Sequence, residues 1–207
     1  MKRYLPAILI VAVFILSSFL SQQYSGSLEE IILQYKIQGI FIYMIVVILA
    51  IVVAPLTSIP FIPVVVGSWG IFWTVTASII SWTLGSMAAF WVAKKFGVPI
   101  VKKLVSVTDK KKLFYEDIPE EKIFWYLLFL RIIVPVDILS YMLGLFTDIS
   151  WKLFTTTTLL GVIPVILFLS IFGYFSVKYQ IILFLAGISL LALFLIIKKM
   201  VKRKSRD

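Results

Sequence analysis

The sequence contains no cysteine and no histidine. The missing cysteines exclude disulfides, thiol catalysis and cysteine metal sites. The missing histidines remove the usual general base and the commonest metal ligand, so a Ser-His-Asp triad is impossible. We therefore expect no catalytic residue, no metal site and no cofactor, and we predict that the chain is not an enzyme.

Charged residues are also scarce: they make up 14% of the 207 residues, whereas hydrophobic residues make up 61%. This composition is far too apolar for a soluble domain and predicts an integral membrane protein. The formal net charge is nevertheless +10. Because basic residues flank membrane spans on the cytoplasmic side, we interpret this charge as an orientation signal and expect no nucleic-acid partner.

The N-terminal apolar segment, residues 5–20, follows Met1-Lys2-Arg3. It is either a short uncleaved span or a secretory signal, and we favour the span because no clear A-x-A cleavage site follows. Both alternatives place the N-terminus in the cytoplasm. The polar residues 21–39 carry apolar side chains at helical spacing and predict a short amphipathic helix at the outer surface.

An uncharged run of 54 residues covers positions 40–93. One span needs about 20 residues, so the chain must fold back within this run. Its prolines lie at positions 55, 60 and 63, and neither 40–54 nor 59–66 is long enough to cross a core of about 30 Å. We predict a re-entrant hairpin with its tip at the prolines, followed by a full span over 71–93.

Three regions are basic: the N-terminus, residues 94–122 with their eight lysines, and the tail after residue 197. The positive-inside rule places all three in the cytoplasm, so an even number of crossings must separate each pair. Residues 153–177 and 181–197 already form one pair of spans. Residues 123–146 must therefore form a second hairpin, which enters from the cytoplasmic side.

This count predicts an all-α integral membrane protein with four full transmembrane helices and two opposed re-entrant helical hairpins. The glycine spacing supports an inverted repeat, since it is 18 and 12 residues in the first half and 17 and 12 in the second. The glycines concerned are Gly67, Gly85 and Gly97, then Gly144, Gly161 and Gly173. In transporters built this way, broken helices meet near the membrane midplane and form the substrate site.

The second predicted hairpin contains the stretch FLRIIVPVDILSYMLG, residues 129–144. Arg131 would lie near the middle of the bilayer, where a charge is expensive and a functional site is the default hypothesis. Its fork of donors matches a lipid phosphate. The structural alternative is that Arg131 pairs with Asp137, or binds carbonyl groups freed by Pro135.

Other residues of the candidate site follow from the same stretch. We favour a pairing role for Asp137, and Ser140 and Tyr141 are candidate donors to a headgroup. Hairpin shaping is assigned to Pro55, Pro60, Pro63, Gly67, Pro135 and Gly144. Close helix contacts are also expected at Gly67, Gly85, Gly144 and Gly161. The tryptophans are expected mostly at the membrane interfaces, except Trp82, which we assign to packing in mid-span.

Several motifs resemble the DedA/VTT membrane proteins, the SNARE-associated Golgi protein superfamily, over about residues 38–175. They are P-x(4)-P-x-x-P-x(3)-G at Pro55–Gly67, G-x(11)-G at Gly85–Gly97, and R-x(3)-P-x-D-x-L-S-Y-x-x-G-L at Arg131–Leu145. The resemblance implies opposed hairpins, transport of phospholipids or the bacterial polyprenyl-phosphate carrier, and a functional arginine at Arg131. The family often has an acid near its first hairpin, linked to proton coupling. The run 40–93 has none, so Glu29, Glu30 or Asp137 would have to serve.

These observations favour a lipid translocase, a scramblase or flippase, in the plasma membrane with both termini in the cytoplasm. Its partners would be membrane lipids with phosphate headgroups, and a homo-oligomer is compatible with this function. We divide the chain into residues 1–39, a core over 40–177, and a last span with a basic tail over 178–207. The alternative is a non-transporting scaffold that supports the membrane or envelope through partners. An intramembrane enzyme would need paired carboxylates, and Asp137 is the one acid within the predicted spans and hairpins.

Overall fold

The computed structural model describes residues 5–53, 58–104, 119–187 and 189, and of residues 5–8, 24–33, 98–104 and 120 it describes the backbone alone. Within these ranges the chain is helical and contains no β-strand, which confirms the all-α class for the described residues. A 3₁₀ turn lies at Ile59–Phe61. The helices are α1 (Leu5–Gln34), α2 (Lys36–Val52), α3 (Ile62–Leu104), α4 (Glu120–Ile133), α5 (Val136–Phe146), α6 (Trp151–Tyr174) and α7 (Val177–Gly187).

Two stretches are long and apolar enough to cross a membrane, judged by length and composition: Ile59–Gly97 and Trp151–Tyr174. Four shorter helices are also apolar, namely Leu9–Gln23 within α1, and α2, α5 and α7. Large apolar side chains stay exposed on their outer faces, among them Phe41, Phe72 and Phe168. Helices that are apolar both inside and outside are expected where lipid, rather than water, surrounds the protein.

Helix α3 lies at the centre, and α1, α2, α5 and α6 all pack against it. Its buried face carries small residues, including Ala77, Ser78 and Ala89. Small side chains allow helix backbones to approach closely, which is how helices associate inside a membrane. The candidate site therefore lies among helices whose positions α3 sets.

The backbone of α3 breaks at Gly70, where φ is 81°, and again at Gly97, where φ is 67°. Glycine adopts positive φ without a steric penalty because it has no Cβ. The break at Gly70 separates a short helix after the 3₁₀ turn from the long stretch over 71–96. The sequence predicted the start of a full span at this same place.

Helix α1 continues without interruption from Leu5 to Gln34. The predicted separate amphipathic helix within residues 21–39 is therefore not formed, because the polar segment extends α1 instead. No proline follows Pro6 in α1, so the backbone ladder continues whatever the polarity of the side chains. Two hydrogen bonds of 2.6 Å tie α1 to the rest of the chain: Ser17 Oγ donates to Pro60 O, and Gln180 Nε2 donates to Ser18 Oγ.

Two helix–break–helix units pack around this centre. In the first unit, α2 ends at Val52 and the described chain resumes at Ser58, before the 3₁₀ turn. In the second unit, α4 ends at Ile133, Val134 and Pro135 are not helical, and α5 begins at Val136. Proline has no N–H to continue a helix and disfavours helical backbone in the residue before it. The proline therefore explains the second break.

The ends of α6 are set by local signals. Ser150 caps its N-terminus by accepting a hydrogen bond of 3.2 Å from the Leu153 N–H. At the other end, Phe175 and Ser176 separate α6 from α7. Most of the predicted last span, residues 181–197, lies outside the described residues, as does the segment 105–118 of the predicted cytoplasmic loop.

Candidate functional site

Arg131 lies near the C-terminal end of α4, and its side chain is buried, with 2% exposed. Its guanidinium carbon lies 4.6 Å from the centroid of the Phe154 ring on α6. Gly161 of α6 makes this approach possible, because a Cβ at that position would lie 2.5 Å from the Arg131 Cβ. The cation–π contact and the glycine together fix the arginine between α4 and α6.

One part of the Arg131 guanidinium is held by α5. Its Nη1 donates to Ser140 Oγ at 2.9 Å and to Val136 O at 3.3 Å. Ser140 Oγ in turn donates to Val136 O at 2.5 Å. Val136 directly follows Pro135, so Arg131 binds a carbonyl beside the helix break, as the structural alternative anticipated.

The other edge of the guanidinium has no partner. Arg131 Nε and Nη2 are buried and form no hydrogen bond with the described part of the chain. A buried charged donor without an acceptor is costly and calls for an explanation. Because Nε and Nη2 share one edge of the planar group, they are able to bind a single anion in a bidentate manner.

Asp137 does not form the predicted ion pair with Arg131. The contacts of the guanidinium are with Ser140, Val136 and Phe154, and Asp137 is not among them. The helical repeat explains this, since Val136 and Ser140 are four residues apart and share one face of α5, whereas Asp137 lies on the next face. Asp137 remains half-buried in the first turn of α5, where the helix dipole favours a carboxylate.

Arg131 and Asp137 nevertheless line the same cavity, which has a volume of about 460 Å³. Both helix breaks contribute to its wall, through Ser58 and Ile59 from the first and residues 134–137 from the second. The rest of the wall is mostly apolar and comes from Ile10, Ile51, Trp82, Ile132, Ile133, Ile138, Val162 and Val165. A concave, mainly apolar space with a few polar groups is typical of a ligand site.

Helix α1 also reaches the cavity. Ile10 belongs to the cavity wall, and Ser17, two turns further along α1, bonds to the first break through Pro60 O.

A direct hydrogen bond also joins α5 to the end of α2, at the first break. The Tyr141 hydroxyl on α5 donates to the Val52 carbonyl at the end of α2. Carbonyls in the last turn of a helix lack intrahelical partners, so this bond satisfies one of them. Tyr141 is fully buried and is not part of the cavity wall, and its observed contact is therefore structural.

The prolines assigned to hairpin shaping occupy different settings. Pro55 lies outside the described residues. Pro60 is part of the 3₁₀ turn, and Pro63, at the start of α3, packs against Gly173 of α6. Pro135 forms the second break and lines the cavity.

The glycines assigned to hairpin shaping lie inside helices rather than at turns. A Cβ on Gly67 would clash with Ser21 of α1, and one on Gly144 would lie 2.6 Å from the Phe90 carbonyl oxygen of α3. Their observed role is close packing, because a larger side chain would separate the helices. The turn at the start of the long span is made by Gly70 instead.

Trp82 is a cavity residue that the sequence analysis assigned only to packing. Its side chain is 7% exposed and lines the cavity, and its indole N–H is buried without a partner. Tryptophans of membrane proteins are enriched at the two interfaces. The position of Trp82 in the middle of a predicted span was the one sequence signal that set it apart.

Comparison with known protein families finds that the VTT domain matches residues 8–175. This range runs from α1 to the end of α6 and includes all residues of the cavity wall. No curated protein and no solved structure matches the chain.

Proposed function

The chain belongs to the VTT-domain family of membrane proteins, and from this premise we propose that it moves phosphate-bearing lipids between the two leaflets of its membrane. One observation carries the proposal. The buried Arg131 keeps an edge of unpaired donors at a cavity where two helix breaks meet. A lipid phosphate is the membrane component whose charge and geometry match that edge.

The contacts of Arg131 suggest how the headgroup is bound. Ser140 and Val136 hold Nη1, and the Phe154 ring holds the face of the guanidinium. The phosphate would then bind Nε and Nη2, the two donors that these contacts leave unpaired. Because the cavity offers one cation rather than several, the headgroup is held strongly enough to enter and weakly enough to leave.

The helix lengths support the proposed topology of four full spans and two opposed hairpins. Helices α2, α4 and α5 have 17, 14 and 11 residues. At about 1.5 Å per residue, they reach roughly 25, 21 and 16 Å, less than the hydrocarbon core of about 30 Å. Non-helical backbone at that depth must be buried in protein or line a cavity, and both breaks line this one.

The remaining parts of the proposal follow from charge and residue chemistry. Basic residues in the segment 94–122 and in the tail support a multi-pass plasma-membrane protein with both termini in the cytoplasm. The absence of histidine and cysteine from the sequence supports transport without a covalent reaction. The transported molecules are phospholipids or polyprenyl phosphate, taken through the same phosphate contact.

The test is leaflet exchange of labelled phospholipid and labelled polyprenyl phosphate in liposomes that contain the pure protein. Arg131→Ala should lower the exchange rate by about thirtyfold or more, because a buried charged contact contributes about 2 kcal/mol or more. Arg131→Lys should recover only part of it, since an ammonium is a point charge without a fork. Lys178→Ala, which removes an exposed cation near α7, is the matched control and should exchange lipid normally.

Failure of the wild-type protein to exchange either lipid would reject transport and favour the scaffold alternative. A lysine variant as active as the wild type would contradict the bidentate contact. The topology has a separate test, in which cysteines introduced at Ser68 and Asp148 are labelled by an impermeant reagent in intact cells. A cysteine at position 68 should be labelled in intact cells, and one at position 148 only after the membrane has been permeabilised. The reverse pattern would refute the hairpin assignment.

A further inference from the structure

We propose that Trp82 is a second, uncharged ligand of the headgroup, whose indole N–H donates to the same phosphate that Arg131 binds. The inference rests on the proposed function and adds a residue to its site. Trp82 belongs to α3, whereas Arg131 belongs to α4, so the phosphate would bridge the two halves of the chain.

The first observation is an unpaired donor at the cavity. Trp82 lines the cavity, its side chain is more than nine-tenths buried, and its Nε1 has no hydrogen-bond partner. Buried tryptophan N–H groups usually find a partner, and leaving such a donor unsatisfied is destabilising. A polar group that breaks this rule beside a ligand cavity is explained if the ligand supplies the acceptor.

Trp69 shows that the unpaired N–H alone does not define a ligand. Its Nε1 is also buried without a partner, yet Trp69 does not belong to the cavity wall. Its ring lies instead over Gly39, where a Cβ would be 2.5 Å from the Trp69 Cζ2. The two tryptophans therefore differ in one respect that matters here: Trp82 lines the same cavity as Arg131, and Trp69 does not.

The donor set then has a definite preference. Arg131 Nε and Nη2 and Trp82 Nε1 are all donors, and an indole N–H cannot accept a hydrogen bond. Such a set favours a group with several acceptor oxygens, such as a phosphate. A headgroup alcohol has a single oxygen and cannot accept from all three donors equally well. Because Trp82 is neutral, it adds a contact to the phosphate without adding a second buried charge to the site.

The experiment compares the full-length wild type with Trp82→Phe and the matched control Trp69→Phe. Both substitutions remove one unpaired indole N–H and keep an aromatic ring. Binding of phosphatidic acid and of polyprenyl monophosphate is measured in detergent, with diacylglycerol and polyprenol as the same lipids without phosphate. We expect Trp82→Phe to weaken binding of both phosphate lipids about tenfold, which is typical for a hydrogen bond to a charged group. Trp69→Phe should stay within about twofold of the wild type.

The outcomes separate this inference from the proposed function. A wild type that does not distinguish phosphatidic acid from diacylglycerol overturns the proposed function. A wild type that prefers the phosphate lipids, with Trp82→Phe equal to Trp69→Phe, overturns the role of Trp82 and leaves that of Arg131 standing.

A second measurement needs no variant and remains decisive if Trp82→Phe does not fold. The six tryptophans are labelled with ¹⁵N at the indole nitrogen in the wild-type protein. One indole N–H signal should shift when phosphatidic acid is added and remain in place with diacylglycerol. The absence of any indole shift at saturating phosphatidic acid overturns the proposal.

Discussion

Ile51 in the first half of the chain and Arg131 in the second occupy equivalent positions with opposite chemistry. Each precedes a proline by four residues, Pro55 in one case and Pro135 in the other. Each lies close to the end of the helix before a break, and both line the cavity. One position is therefore occupied by an apolar side chain and the other by the buried cation.

The packing beneath these two residues is also equivalent. Gly85 lies against Ile51, and Gly161 lies against Arg131, each glycine on the long helix that follows the break in its own half. The same glycine contact is thus found in both halves, whereas among the described residues of the cavity wall the cation comes from the second half alone. To the cavity, the first half contributes an apolar wall and the Trp82 indole, and the second half contributes the cation. The first half also provides the Val52 carbonyl that accepts the hydrogen bond from Tyr141.

Among substitutions that compare the two halves, the largest difference should come from adding a methyl group at Gly161 and at its equivalent, Gly85. A Cβ at position 161 would lie 2.5 Å from the Arg131 Cβ, which cannot turn away, whereas a Cβ at 85 would lie 3.0 Å from two Ile51 carbons. Gly161→Ala should lower the free energy of unfolding by about 1–3 kcal/mol and displace the guanidinium. We expect lipid exchange to fall about tenfold or more.

Gly85→Ala is the control for this prediction. Its milder contact is offset by the better helix propensity of alanine, about 1 kcal/mol, so stability and exchange should stay close to the wild type. Thermal unfolding in detergent and exchange in liposomes measure both quantities. Equal losses for the two variants would show that the glycines matter only for packing and not for the arginine.

A smaller effect should distinguish two buried serines that each donate to the carbonyl four residues back in their own helix. Ser140 accepts from Arg131 Nη1 and donates to Val136 O, whereas Ser81 only donates to Ala77 O, also four residues back. Ser140→Ala should reduce exchange about three- to tenfold, because one hydrogen bond to the guanidinium is lost. Ser81→Ala should change it less than about twofold, and a comparable loss in both variants would contradict a specific role of Ser140.

The smallest effect should come from the two buried tyrosines. Tyr141 bonds to Val52 O across the halves, and the Tyr43 hydroxyl lies 2.7 Å from Ser78 Oγ within the first half. Each change to phenylalanine should lower the free energy of unfolding by about 0.5–1.5 kcal/mol. Tyr141→Phe alone should also alter the rate of lipid exchange, by about twofold, because it removes the hydrogen bond between α5 and the end of α2. An exchange rate changed equally by Tyr43→Phe would remove the distinction.

The sequence predicted the parts of this molecule that depend on local chemistry. Proline placed the second break at residues 134–135, and Arg131 stood out as the one basic residue of the apolar segment 123–146. The partner of Arg131 was not predictable in the same way. Asp137 and Ser140 both follow within nine residues, and the choice between them depends on which face of α5 turns towards α4.

Long-range packing accounts for the other differences. The polar residues 21–34, with Gly26 among them, predicted an end to the first helix, yet the backbone of α1 continues through them to Gln34. Trp82 reads as a packing residue until the fold places Arg131 beside the same cavity. Likewise, the equivalence of Ile51 and Arg131 becomes clear only when Gly85 and Gly161 are seen beneath them.

The hydrogen bond between Tyr141 and Val52 has a consequence for biosynthesis. The two residues are separated by 89 positions, and a ribosome adds about 5–20 residues per second. Tyr141 is therefore synthesised roughly 4–18 seconds after Val52. If the first half inserts into the membrane during that interval, the Val52 carbonyl lacks its donor, and lipid chains cannot provide a hydrogen bond in its place. We expect the insertion machinery or a bound water to provide the donor for this carbonyl during that interval. Once the second half has been synthesised, the Tyr141 hydroxyl takes over this role.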